Sequence, residues 1–221
     1  MSDVGVRGCC RVLVVLFCAA VAAVGCGDSV DNGGTGGSGG GTGGTGGSAG
    51  TGGTGGVAGS GGAPSSASIV FVTEAVQNGA LGGIQVADRL CQTEADLAGV
   101  DGTFAVWLST TDSPVADRLV QSSGPYTLVD GTLIANDWQD LLDGTIQAPI
   151  NLDAGGTQRG GDVWTGTLAT GESFAGGDCE GFTEGTMGVS QCGSTASAGS
   201  AWTEASTPSC STQLRLYCFE Q

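Results

Sequence analysis

The sequence predicts one domain of mixed helix and strand, closed by disulfides and carried on a glycine-rich leash. Three observations predict it. Short β-branched and aromatic runs share the C-terminal part of the chain with an amphipathic stretch of helical spacing. Five cysteines lie in that same part, where the weakly periodic stretch Gly171–Pro208 needs either staples or a function. Ahead of it, 19 of the 30 residues from Gly33 to Gly62 are glycine.

In chain order, Arg7 and Arg11 precede an apolar run, Val12–Val24, of 13 residues. As a helix it spans about 20 Å, short of a hydrocarbon core of roughly 30 Å. It reads as a secretory signal rather than a membrane anchor. The residues Ala22-Ala23-Val24-Gly25-Cys26 resemble the lipobox of bacterial lipoproteins, with Ala23 where that family usually has leucine. The resemblance implies residues 1–25 as signal peptide and acylation at Cys26, a membrane partner through lipid. Several acyl chains on one cysteine hold firmly, whereas one anchors only marginally. Gly27 in place of an aspartate implies the outer membrane or cell surface.

Residues 26–68 form the tether. Its Gly-Gly-Thr and Gly-Gly-Ser repeats lose phase at Gly41 and Ala49, and no proline lies within Gly33–Gly62. That excludes collagen and predicts flexible coil. From Asp31 to Ser68 such a coil spans about 34 Å root-mean-square.

Residues 69–221 form the domain, 153 residues long. A chain of that length buries roughly 68–70% of its unfolded surface, enough for one core. Ile69–Thr73 reads as an opening strand. After Gly82-Gly83, apolar residues at Ile84, Ala87, Cys91, Ala95 and Ala98 predict an amphipathic helix that stops at Gly99. Phe104–Leu108 reads as a buried strand. Asn136 is the predicted cap of a second, shorter helix that turns Trp138, Leu141 and Leu142 inward and ends at Gly144. Val163–Thr167 and Leu214–Phe219 are further strands, and Gly171–Pro208 is mostly loop.

Charge excludes several partners. The domain holds 19 acidic residues against four arginines (Arg89, Arg118, Arg159, Arg215), and the whole chain has no lysine or histidine. Nucleic-acid affinity needs cations to neutralise phosphates, so no nucleic acid is expected. The same surplus disfavours docking on anionic lipid and keeps an exported domain soluble.

Cys91, Cys179, Cys192, Cys210 and Cys218 read as disulfide cysteines in an exported protein. Zinc is disfavoured by the absence of histidine and of any Cys-x-x-Cys. The odd number leaves one thiol over, and spacing alone does not assign the pairs.

Gly82-Gly83-Ile84 through Ala87-Asp88 to Cys91, followed by Gly102-Thr103-Phe104 and Trp107-Leu108-Ser109, resembles the endostatin domain of collagens. Trp138, Val163-Trp164, Cys179, Ser209-Cys210 and the closing Leu216-Tyr217-Cys218-Phe219-Glu220-Gln221 follow in the same order. The same ordered set is similar to a bacterial lipoprotein domain of unknown function that itself resembles endostatin. This resemblance implies an α+β, C-type-lectin-like fold with two helices, a small mixed sheet and a long irregular loop region. It further implies nested disulfides, Cys91 with Cys218 and Cys179 with Cys210, leaving Cys192 either free or in competition for a partner. The family's binding sites do not carry over: endostatin-type zinc and heparin binding use histidines and clustered arginines, and no calcium-lectin signature is present.

The function expected is therefore a surface-displayed binding or adhesion module for an extracellular protein or glycan, not an enzyme. Among the tryptophans, Trp202 stands in the loop-rich part, where an exposed ring would stack on sugars; the other three read as core. A structural envelope role without a small ligand is the first alternative. A carboxylate-based, glycan-active enzyme is the second, since a serine nucleophile would lack its histidine base and no acidic pair stands out. No cofactor is expected, and calcium is the one metal left open. The groups Asp137, Asp140, Asp143 and Asp178, Glu180, Glu184 supply its oxygens without EF-hand spacing.

Overall fold

The computed structural model describes residues 66–221; Cys26, the signal segment and most of the tether lie outside them. Strand β7 (Arg215–Glu220) is the axis of a seven-stranded mixed sheet. Along one edge it pairs antiparallel with β1 (Ser68–Val72), in register Val70↔Phe219, Phe71↔Cys218 and Val72↔Tyr217. Its other edge is shared by β2 (Phe104–Val106), antiparallel near the C-terminal end, and β5 (Asp162–Trp164), parallel near the N-terminal end. Outward from β1 lie β3 (Tyr126–Thr127) and β4 (Leu133–Ala135); outward from β5 lies β6 (Cys192–Ser194). The first and last strands of the domain are thus neighbours.

Alternation along these strands divides the core between the two sheet faces. Val70, Val72, Tyr217, Phe219 and Val163 face one side, where α2 (Val115–Arg118) and α3 (Trp138–Leu141) pack. Phe71, Leu216, Cys218 and Trp164 face the other, against α1 (Ile84–Ala98). Helix α1 turns Ala87, Cys91 and Ala95 inward and ends at Gly99, whose left-handed φ of 72° closes the helix as expected.

All four tryptophans are core residues, at most 3% exposed. The indole of Trp107 lies 5.7 Å from Trp138, 4.9 Å from Trp202 and 5.0 Å from Phe219, centroid to centroid. Its Nε1 donates to the Thr203 hydroxyl at 2.9 Å, so the loop carrying Trp202 is bonded to the strand side as well as packed on it. Thr165 Oγ1 donates to Thr203 O at 2.7 Å, and Thr167 Oγ1 donates to Ser109 Oγ at 2.9 Å. This buried hydroxyl network and a disulfide are what order the expected loop stretch. At Gly193 the backbone of β6 passes so close to this segment that a Cβ would lie 1.9 Å from Trp202 O, which only glycine tolerates.

Two disulfides close the domain. Cys91–Cys218 joins α1 to β7 with a Cα–Cα distance of 5.4 Å, and Cys179–Cys210 joins two loops at 5.7 Å, both ordinary spans for a bridge. Cys192 is a free, buried thiol. Its Sγ lies 3.1 Å from Ser206 Oγ, and burial pushes its pKa up despite that contact.

The expectation of two helices is corrected to four. The four residues of α2 are too few to show a period. α4 (Cys179–Phe182) is a single left-handed turn, with φ of 52° at Cys179 and Glu180, 67° at Gly181 and 58° at Phe182. L-residues disfavour that conformation by about 1–2 kcal/mol each, so surrounding contacts must hold it. Asp178 Oδ1 accepts the Gly181 N–H at 3.0 Å, Gly83 N–H donates to Phe182 O at 3.0 Å, and the Phe182 ring is buried edge-on against Trp164. Glu180 is exposed, so Glu180→Gly should relieve strain without removing packing. It is expected to raise stability by about 1 kcal/mol, measured by urea denaturation.

The cap of α3 is also corrected. Asp137, not Asn136, caps it, its carboxylate accepting the Gln139 and Asp140 N–H groups at 2.9 Å. Asn136 instead donates through its backbone and side chain to Asp140 Oδ2, at 2.7 and 2.9 Å.

An acidic candidate binding cleft

Beyond Val72 the chain leaves the sheet, and the N–H groups of Glu74 and Ala75 need partners. Glu94, on α1 beside the buried row Cys91–Ala95, supplies them: its Oε2 accepts Glu74 N–H at 2.7 Å and its Oε1 accepts Ala75 N–H at 3.3 Å. Arg215 holds the same segment from its acceptor side, donating to Thr73 O at 3.0 Å and also to Glu74 O. Opposite, the loop Asp153–Arg159 folds around its own aspartate. Asp153 Oδ1 accepts Thr157 N–H at 2.8 Å, and Oδ2 accepts Arg159 Nε at 2.7 Å. Arg159 then reaches across to Glu74 Oε1, with Nη2 at 3.0 Å.

Between these walls lies a cleft of about 460 Å³, floored by Asp153 and Ala154 and rimmed by Leu97 and Ala98. Three carboxylates and one guanidinium leave it negative. The C-terminal end of α1 adds the negative pole of its dipole, with no basic residue in the last turn to offset it. Leu97, 83% exposed, is the most exposed large apolar side chain of the described residues.

The two inner carboxyls are pushed apart. Burial is the largest influence on Glu94 and holds its pKa above the ordinary value, against the two N–H groups it accepts. Burial also pushes Asp153 up, but Thr157 N–H and Arg159 outweigh it and the net shift is downward. Asp153 therefore contributes stability that is present above about pH 4 and lost as pH falls through its lowered pKa; Glu94 works in the opposite sense. With the Asp153 side chain only 7% exposed, Asp153→Ala is expected to cost about 2–3 kcal/mol at pH 7. Denaturation at pH 7 and at pH 3 should show that deficit shrinking in acid.

Most of the cations are consumed inside the fold. Arg118 pairs with Asp88 at 3.0 Å and donates to the carbonyls of Val106 and Leu108. Arg159 and Arg215 are engaged as above. Arg89 alone of the four is exposed and makes no ion pair among the described residues, so the exposed charges are almost all acidic.

The residues singled out by sequence fare differently. Cys91, Cys218, Cys179 and Cys210 form the two bridges. Trp202 is corrected: it is 0% exposed, packed between Trp107 and Tyr217, and cannot stack on a ligand. The acidic groups weighed for calcium are largely spent on local N–H and hydroxyl donors. Asp178 accepts from Thr111 N and Oγ1 at 3.0 and 3.1 Å, Asp143 from Thr145 at 2.9 Å, and Glu184 from Thr186 N at 2.6 Å. Among the described residues no three acidic or cysteine side chains converge as metal ligands. No local pattern marks Glu74, Glu94, Leu97 and Asp153 in the sequence, because the cleft joins segments as much as 85 residues apart and each acid is one among 19.

Neither a protein-family model nor a curated protein matches the chain.

Proposed function

We propose that the chain is a lipoprotein acylated at Cys26 and displayed at the outer membrane or cell surface, and that its domain is a binding module of C-type-lectin-like, endostatin-like fold. Pairing of β1 with β7 and the nesting of Cys179–Cys210 inside Cys91–Cys218 support that kinship. The partner is a basic, partly apolar segment of an extracellular protein. The observation that carries this reading is the acidic cleft with Leu97 at its rim, on a surface whose arginines are mostly turned inward. A protein partner is favoured over a glycan because no tryptophan is left exposed as a stacking platform. A binding role is favoured over a chemical one because every carboxyl oxygen of Glu94 and Asp153 already accepts an N–H.

The binding test uses full-length protein in liposomes, presented with basic peptides, neutral peptides and a glycan array. Basic peptides should bind, with affinity falling as salt rises. The double variant Glu74→Gln, Leu97→Ser alters two exposed side chains (Glu74 70%, Leu97 83% exposed) without touching the core. It should weaken binding roughly ten-fold, a loss of about 1.4 kcal/mol. Binding that ignores both salt and the double variant would remove the cleft from the account. Separately, mass spectrometry of the membrane fraction should find acylated Cys26 at the N-terminus, and Cys26→Ser should abolish membrane retention.

A further inference from the structure

The left-handed turn α4 stands between two further clefts. Cys179 and Glu180 line one of about 340 Å³, with Glu184, Met187 and Gly188. Gly181 lines the other, of about 610 Å³, against Gly82 and Gly83 at the start of α1. Three of the four residues of the turn thus line these two surfaces, and Cys179, Glu180 and Phe182 hold a backbone conformation that L-residues disfavour. Their only covalent restraint is the bond from Cys179 to Cys210.

We propose that Cys179–Cys210 is a redox-sensitive latch: its reduction by an external dithiol releases the left-handed turn and reshapes both clefts, while Cys91–Cys218 keeps the core closed. Placement distinguishes the two bridges. Cys91–Cys218 lies inside the core, where β1 and β2 flank Cys218 on either edge of β7. Cys179–Cys210 ties α4 to the loop before β7. Its sulfurs belong to the same buried cluster as Cys91 and Cys218, but a cleft lined by Cys179 opens beside it, and none of the clefts described is lined by Cys91 or Cys218. Met187 and Gly188 are exposed on that cleft, the side from which a thiolate would approach. Release of backbone strain on reduction favours the dithiol state, and strained or accessible disulfides are the more readily reduced ones.

The chemistry balances as ordinary exchange. A thiolate of the reductant attacks Cys179 Sγ, and Cys210 departs as thiolate and takes a proton. The second thiol of the reductant then displaces Cys179 from the mixed disulfide. The bridge gains two electrons and two protons, and the reductant dithiol becomes a disulfide. Cys192 takes no part. Its thiol is buried with Sγ 3.1 Å from Ser206 Oγ.

The test treats full-length protein under native conditions with graded dithiothreitol, then alkylates, maps peptides and follows hydrogen exchange. Cys179 and Cys210 are expected to alkylate roughly ten-fold faster than Cys91 and Cys218. Exchange should rise over residues 175–189 and at Gly82–Gln85 and stay unchanged in β1 and β7. Glu180→Gly, which relieves strain at an exposed position and leaves both bridges intact, should slow reduction of Cys179–Cys210 alone. The proposal is overturned if the two bridges open together, if Cys91–Cys218 opens first, if exchange near the turn does not change, or if Glu180→Gly is reduced as fast as the unaltered protein.

Discussion

Replacing Cys91 and Cys218 together by alanine is expected to remove most of the stability of the domain. The bridge spans 127 residues, nearly the whole fold, whereas Cys179–Cys210 spans 31. Closing loops of those lengths in the unfolded chain contributes about 5 and about 3.7 kcal/mol in the entropic account. Packing adds to both values, because all four cysteines are buried in one cluster, so the span of the loop sets the ranking. Domains of this size are held by only about 5–15 kcal/mol in all. The double variant should therefore be partly or wholly unfolded at 37 °C, while the Cys179→Ala, Cys210→Ala pair should fold with a lowered midpoint. Urea denaturation of both, followed by tryptophan fluorescence, checks the ranking. Equal losses would mean that the span of the closed loop is not what sets the effect.

Trp107→Ala is the point substitution with the largest expected effect, about 4–5 kcal/mol, near the upper end for removing a buried aromatic ring. Trp107 is the ring on which Trp138, Trp202 and Phe219 converge, drawing α3, the loop before β7 and β7 itself to one point. Alanine leaves a cavity among three rigid rings that cannot collapse into it, and it strands the Thr203 hydroxyl without its indole donor. Trp107→Phe keeps much of the volume and should cost roughly half as much. Both substitutions remove the Nε1 donor, so the difference between them, measured by denaturation with both disulfides oxidised, reports the lost packing.

These effects bear on the proposed binding role. A binding cleft must be preorganised to bind without an ordering cost. Here Arg215, Glu94 and Asp153 fix the cleft walls mainly through backbone groups; the exposed Arg159–Glu74 pair that crosses it contributes little. Both disulfides lie away from that cleft's lining. Reduction of Cys179–Cys210 should therefore alter the two clefts beside α4 and leave basic-peptide binding at Glu74 and Leu97 intact, so the two proposals fail or stand separately.

Local pattern alone determined the amphipathic helix and its glycine stop, and the position of four strands, because each rests on contacts within a few residues. Ile84–Ala98 repeats every three to four residues against a single face, and Gly99 stops it by its own conformational freedom. The resemblance carried by the ordered landmarks supplied the nested bridges, which neither spacing nor count could assign. Only the tertiary structure decided the rest. β3, β4 and β6 are two or three residues long, too short for a period, and exist because a neighbouring strand offers them partners. The left-handed turn runs against the preference of its own residues and persists through Cys210, Trp164 and Gly83, all remote in sequence. Trp202 looked like a loop aromatic from its neighbours, yet lies buried because Trp107 and Tyr217 meet it from other strands. The acidic cleft likewise depends on Glu74, Glu94 and Asp153 being brought together from three segments. In each case the deciding energy is a long-range contact, which a chain read in order does not contain.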